Sequence, residues 1–390
     1  MLRWYQCRDL EETLGGQIMR LGMFMQPVHD VNRDQTQVIE EDRETILLAD
    51  KLGFHEVWVG EHASATVEPI TAPLVFLATL LGETKTIKLG TGVFCLPNHH
   101  PAQVAAQAAL FDHLSRGRFQ MGIGTGSLSS DVELFEVGGD TDRNDMVRES
   151  MELIQSIWDG EPPYSIEGKY WNVKIEDMAR SEFGVGHFVK PYQKPGPPVA
   201  ISIMSPKSNS ARIAGENGWI PISGAAFLHP RYTSGHWQTY AEGCEKAGRE
   251  ADPNIWRVSR SIVVAPSDGE ALDYVLNPEG PMSYWYRYFL SSIKARKLTK
   301  YVAPEGHPDP DNITWQEIAK EQCTFGSPQT VLDKLVALRD LTGHFGVLTA
   351  MAHEWDDKAF CQRSLTMLAK EVMPKFSQHS DADSQPRAAE

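Results

Sequence analysis

His62 is the first residue whose type and placement suggest chemistry. It closes the run His55-Glu-Val-Trp-Val-Gly-Glu-His62, a strand-like stretch passing into a loop. An imidazole titrates near ~6.5, so it can take or give a proton at neutral pH. A histidine capped by its neighbour Glu61 in a structural role is the competing reading, and position alone does not choose between them. The stretch Ser205-Pro-Lys-Ser-Asn-Ser210 precedes a helical pattern and offers hydroxyls, an ammonium and backbone amides to an anion. The same stretch also reads as a plain serine N-cap. His99 and His100 are adjacent and have no third ligand at a recognised spacing, so a metal is rejected. Gly124-Thr-Gly126 follows a strand-like run but lacks the GxGxxG spacing of a dinucleotide site. The aromatic run Tyr284-Trp-Tyr-Arg-Tyr-Phe289 either packs core or an interface, or forms part of a lid.

These residues need elements to hold them, and the chain alternates short β-rich runs with longer helical patterns. Strand candidates are 20–25, 55–60, 87–93, 118–124, 199–203, 219–222, 256–264 and 345–350. Helical patterns fall over roughly 36–52, 72–83, 101–114, 141–159, 207–217, 230–249 and 328–341, with a last helix bearing Cys361, Leu365, Leu368 and Val372 on one face. Eight strands with helices between them predict an α/β fold, a (β/α)8 TIM barrel, rather than an open doubly wound sheet. A typical barrel takes ~250 residues. The surplus is assigned to insertions at about 160–197, after strand 4, and 266–324, after strand 7. The first is expected to hold a hairpin around Glu167-Gly168, and the second to be irregular, since it carries Pro278, Pro281, Pro304, Pro308 and Pro310. Residues 1–18 form an N-terminal extension, 19–376 the barrel and 377–390 a disordered tail. In such a barrel the catalytic groups lie at the C-terminal strand ends, which is where His62, Thr91-Gly92, Gly124-Thr125 and Ser205 to Ser208 stand.

Composition narrows the function classes. The 390 residues carry 37 Lys plus Arg against 52 Asp plus Glu, a formal charge of −15 that disfavours nucleic-acid partners. No window approaches the ~18 apolar residues of a membrane helix, and Met1 to Ile18 contain no apolar core of a signal peptide. The five cysteines, Cys7, Cys95, Cys244, Cys323 and Cys361, form no CxxC pair, which suits a reducing cytoplasm.

From about Met19 to Phe376 the chain resembles the bacterial luciferase-like flavin-dependent monooxygenases. The likeness is carried by Arg20-Leu-Gly-Met-Phe, by Gly53-Phe-His-Glu-Val-Trp-Val-Gly-Glu-His62, and by Leu89-Gly-Thr-Gly-Val with Asn98-His-His-Pro101. It continues in Leu114-Ser-Arg-Gly-Arg-Phe-Gln-Met-Gly-Ile-Gly124, Pro197-Pro-Val-Ala-Ile with Gly218-Trp-Ile, and Phe325-Gly-Ser-Pro-Gln-Thr-Val. No single piece is specific, but their order and distances are. The loop Gly126-Ser-Leu-Ser-Ser-Asp131 and the length are similar to the limonene monooxygenase-like branch.

The resemblance implies a cofactor, FMN in its reduced form, with deazaflavin F420 as the alternative. It implies catalysis by His62, and a flavin ring held at Thr91-Gly92, often beside a non-proline cis peptide. The phosphate would be held by Ser205 and Ser208. Two departures stand out. The luciferases place an arginine where Thr125 stands and a reactive cysteine where Gly124 stands, so phosphate binding shifts toward Lys207 and the helix N-terminus. The implied reaction runs through a C4a-(hydro)peroxyflavin that oxygenates a small hydrophobic substrate, a terpene or alicyclic ketone, with O2 as co-substrate. A dry pocket is then required, and Phe24, Met25, Phe94, Met204, Trp219 and Trp285 are the residues assigned to it. A separate flavin reductase would supply reduced FMN, and the family implies a homodimer or homotetramer. The rivals are an F420-dependent oxidoreductase and a flavin-binding barrel without turnover.

Overall fold

Runs such as Leu21-Gly-Met-Phe-Met25 and Val258 to Val264 are buried almost without alternation, the mark of strands covered on both faces. The structure is a computed structural model that describes residues 19–383 apart from position 225, with backbone alone for 380–383. In it eight such runs form β1 (Arg20–Met25), β2 (Glu56–Val59), β3 (Lys88–Thr91), β4 (Phe119–Gly124), β5 (Val199–Ile203), β6 (Ile220–Ser223), β7 (Arg257–Val264) and β8 (Val347–Met351). Each pairs in parallel with the next, and β8 pairs with β1, so the sheet closes into the (β/α)8 barrel. A helix follows every strand, from Gln35–Leu52 after β1 to Lys358–Met367 after β8.

The barrel interior explains several glycines. Trp58 on β2 points inward and is fully buried. A Cβ on Gly90 would lie 2.4 Å from its Cε3, and one on Gly92 would lie 2.8 Å from its Cβ. Glycine is therefore required on β3 to make room for the indole, a packing need independent of any cofactor. Below Trp58, Glu56 of β2 meets Arg257 of β7 across the barrel, with Nε–Oε1 at 3.0 Å and Nη2–Oε2 at 2.7 Å. The Trp58 indole N–H donates to Glu56 Oε1 at 2.7 Å, and Arg257 Nη1 donates to Ile255 O. Burial pushes the Glu56 carboxyl upward, but the Arg257 charge overrides it and holds the pKa at about 2.

The first insertion holds an antiparallel hairpin, Tyr164–Glu167 with Asn172–Ile175. Glu149, from the helix after β4, accepts the backbone N–H groups of Lys169, Tyr170 and Trp171 and so fixes its turn. The second insertion differs from the irregular segment expected. It contains helices Asp268–Leu276, Pro281–Ala295 and Trp315–Gln322, and a strand, Cys323–Gly326, that pairs with the outer part of β7. Pro281 was read as a breaker, yet it occupies the first helical turn, where its missing N–H costs nothing. Met282, Trp285, Tyr286, Phe289 and Ile293 then share a buried face at helical spacing. Helix Met373–Asp383 continues past residue 376 into the segment expected to be disordered, and Ser377 Oγ donates to Met19 O. Residues 1–18 and 384–390 lie outside the described residues.

Candidate active site

Each strand delivers its last residues to one mouth, and the loop after β2 is the most tightly held. The carboxylate of Glu61 is buried; it accepts the Cys95 N–H at 2.9 Å and pairs with His99 Nε2. Asp131, from the short helix after β4, accepts the amides of Ala63 and Ser64 at 3.0 and 2.9 Å. His62 is thus clamped between two anchored neighbours, and Glu61 serves the loop rather than capping the imidazole. The His62 side chain is 13% exposed, with Nδ1 at 3.5 Å from Glu68 Oε2. Its Nε2 meets Gln26 Nε2 at 3.3 Å. An amide nitrogen only donates, so His62 Nε2 accepts and its proton sits on Nδ1, facing Glu68. Glu68 is itself buried and accepts from Tyr288 Oη at 2.9 Å. A small cleft of about 10 Å³ adjoins the imidazole, lined by Met25, Gln26, Asp42, Glu68 and Ile70 among others, room for about one water.

At β3 the ladder to β4 covers only Leu89 and Gly90, and resumes in the short strand Phe94–Cys95. The interruption contains a cis peptide between Gly92 and Val93. The Thr91 hydroxyl is fully buried and donates to Gly122 O at 2.8 Å, so it is committed within the barrel wall. Gly124 lies against Val93, whose Cγ2 would be 2.8 Å from an added Cβ. Thr125 Oγ1 donates to Gly126 O at 3.2 Å. Arg143, not singled out in the sequence, reaches this corner and donates through Nη1 to Thr125 O and Gly126 O at 3.4 and 2.9 Å.

After β5, Ser205 and Lys207 are exposed, and Ser208 heads helix Asn209–Asn217 without using its hydroxyl as a cap. No carboxylate occurs from 205 to 210, so the segment presents donors, as a phosphate group requires. His236 holds the segment in place: its Nε2 donates to Ser205 O at 2.9 Å and its Nδ1 meets Ser223 Oγ at 3.1 Å. Burial lowers the His236 pKa to about 4, so the imidazole is a neutral strut.

The residues assigned to an apolar pocket divide. Phe24 and Trp285 belong to the core cluster that joins the upper barrel to the second insertion, and Met204 is exposed at the β5 end. Met25 and Phe94 are buried in the other cluster, between strands and helices, Phe94 edge-on to His99 at 6.0 Å. Trp219 precedes β6 at its N-terminal end, the floor of the barrel, so it is not a mouth residue. Helix Pro281–Ala295 roofs the mouth: Trp285 stacks on Phe289 at 5.2 Å and stands edge-on to His353 at 5.3 Å, while Tyr288 reaches Glu68. Sequence reasoning missed His353, Glu68 and Gln26, because they are partners in space with no shared spacing. His100 caps helix Pro101–Ser115 by accepting the Ala102 N–H. Among the described residues, no group of three or more His, Cys, Asp or Glu could hold a metal ion.

Fold and site together define a (β/α)8 barrel with a clamped imidazole, a helix start that presents uncapped donors, and an aromatic helix at its C-terminal mouth. The chain belongs to the luciferase-like monooxygenase family, whose model matches residues 19–344. It is 30% identical to 3,6-diketocamphane 1,6-monooxygenase of Pseudomonas putida, over 92% of this chain and 98% of that one. It is 28% identical to limonene 1,2-monooxygenase of Rhodococcus erythropolis, over 91% and 86%. The oxygenase component of the flavin-dependent trigonelline monooxygenase of Acinetobacter baylyi is also 28% identical, over 92% and 96%. Among solved structures, the oxygenating constituent of the P. putida 3,6-diketocamphane enzyme in complex with FMN matches with a TM-score of 0.83, covering 92% of this chain and 98% of that one. No helix among the described residues is long and apolar enough to cross a membrane.

Proposed function

We propose that this protein is the oxygenase component of a two-component monooxygenase. It takes reduced FMN from a separate reductase and transfers one atom of O2 to a small hydrophobic substrate, a terpene or alicyclic ketone. The observation that carries this reading is the clamped, largely buried His62 at the β2 end, beneath the roof helix that also reaches its partner Glu68. The donor set fits FMN: Ser205, Lys207 and Ser208 would hold the phosphate, with Arg143 adding a cation at the β4 corner. Gly92 and Val93, beside Trp58, would hold the ring. When bound, reduced FMN supplies the electrons that activate O2. The protein's part is to orient it, exclude water with the Trp285 and Phe289 roof, and hold or move a proton at His62.

Support for a separate reductase comes from the likeness to an enzyme described as an oxygenase component. Four free cysteines among the described residues suit a cytoplasmic location. Exposed Val75, Leu110 and Leu114, on the helices after β2 and β3, offer an apolar face to a second copy in a homodimer or homotetramer. The test is incubation with photoreduced FMN, 18O-labelled O2 and a panel of terpenes and ketones, read by mass spectrometry. Labelled product is expected. Tight uptake of F420 with no label incorporated would replace this reading with hydride transfer on the same barrel.

A further inference from the structure

Buried His236 and half-buried His353 both lie near the C-terminal strand ends, and they differ in one respect. His236 spends both ring nitrogens on the protein, on Ser223 Oγ and Ser205 O. His353 follows β8 and spends one: Nε2 meets Ser261 Oγ of β7 at 3.1 Å. Its Nδ1 is buried and has no hydrogen-bond partner among the described residues. Burial pulls the His353 pKa to about 4, so charge does not compensate for the missing partner. Residues 349, 351 and 353 share one side of β8 and its extension, and Met351 packs in the cluster with Phe24 and Trp285. His353 therefore projects over the barrel interior, under the Trp285 edge. Unpaired buried donors are uncommon, and a polar atom left open beneath an apolar roof calls for a partner brought by a ligand.

We propose that His353 is a specificity-determining residue whose open Nδ1 hydrogen-bonds an oxygen atom of the substrate, so that the site selects an alicyclic ketone over a hydrocarbon of the same shape. The inference rests on the monooxygenase reading and narrows its substrate class. In this arrangement the Ser261 hydroxyl is the donor to Nε2, and the imidazole proton then lies on Nδ1, directed at the carbonyl; the NMR arm of the test reads that tautomer. A hydrocarbon in the same place leaves that N–H unpaired.

The test uses camphor and bornane, one bicyclic skeleton with and without a carbonyl. In 15N-histidine NMR of the full chain, His353 is expected to show the Nδ1–H tautomer, and camphor but not bornane to move its resonance. His353→Asn places an amide N–H near the Nδ1 position, whereas His353→Gln reaches toward Ser261 and leaves that position empty. Camphor affinity is expected to fall about 10- to 100-fold in His353→Gln and to be largely kept in His353→Asn, with bornane affinity equal in all three proteins. The proposal is overturned by an Nε2–H tautomer, by equal camphor affinity in the Gln and Asn variants, by a shift caused by FMN alone, or by a wild type that binds neither probe. The NMR arm needs no variant, so a misfolded substitution does not decide the matter. Incorporation of labelled oxygen into camphor is scored separately: binding at His353 without incorporation removes the monooxygenase reading and leaves the anchor standing.

Discussion

The floor and the mouth of this barrel are both polar and both buried, yet they are built differently. On the floor, Glu56, Arg257 and Trp58 close on one another: both carboxylate oxygens are occupied, and Arg257 also reaches Ile255 O. At the mouth, hydrogen-bonding capacity is left over, at His353 Nδ1, at the Ser208 hydroxyl and in the exposed Ser205-Pro-Lys207. A buried ion pair with every partner supplied serves the fold, whereas open polar atoms beside apolar walls await something else. The contrast agrees with the reading proposed above, with the closed ion pair toward the N-terminal strand ends and the open donors at the C-terminal ends.

The comparison can be broken in four places. The largest effect is expected from His62→Ala, which should lower oxygenation about 10²- to 10⁴-fold while leaving the thermal midpoint near that of the parent; product analysis and calorimetry together check it. An unchanged rate would remove His62 from the chemistry. On the floor, Arg257→Met should cost roughly 3–5 kcal/mol of stability by stranding Glu56, measured by urea unfolding. The double change Glu56→Leu with Arg257→Met should recover much of that loss, with turnover per folded molecule preserved.

Next in size is the anion segment. Lys207→Ala should weaken FMN binding about tenfold, near 1.4 kcal/mol for one lost charge-assisted contact, as read by fluorescence titration. Stability should stay level, since the side chain is exposed.

The smallest is a pH effect at the rim. Burial lowers the His29 pKa, but hydrogen bonds to Asp42 and Glu354 outweigh it and raise the pKa to about 9. A raised folded-state pKa contributes stability that is complete below the unfolded value of ~6.5 and is lost as pH rises through about 9. The thermal midpoint should therefore decline between neutral and alkaline pH, and His29→Gln should flatten that decline.

Much of the barrel was readable in the chain because parallel strands buried on both faces are apolar throughout, and their helices repeat at 3.6 residues. The second insertion was misread because five prolines suggested breakage, although Pro281 starts a helix and Met282 to Ile293 run along one face of it. Trp219 was assigned to the apolar pocket, although as the residue that immediately precedes the sixth strand it stands at the floor. The need for glycine at 90 was invisible because it depends on Trp58, more than thirty positions earlier.

Local pattern was thus enough to specify eight strands, their covering helices and a histidine at the second strand's end, since periodicity and burial are properties of neighbouring residues. Closure of the barrel decided the rest. It brought Glu68, Gln26 and Tyr288 around His62, set Arg257 on Glu56, and left His353 one nitrogen short of a partner. Such pairings depend on distances across the fold; Tyr288 and Glu68 lie 220 positions apart in the chain.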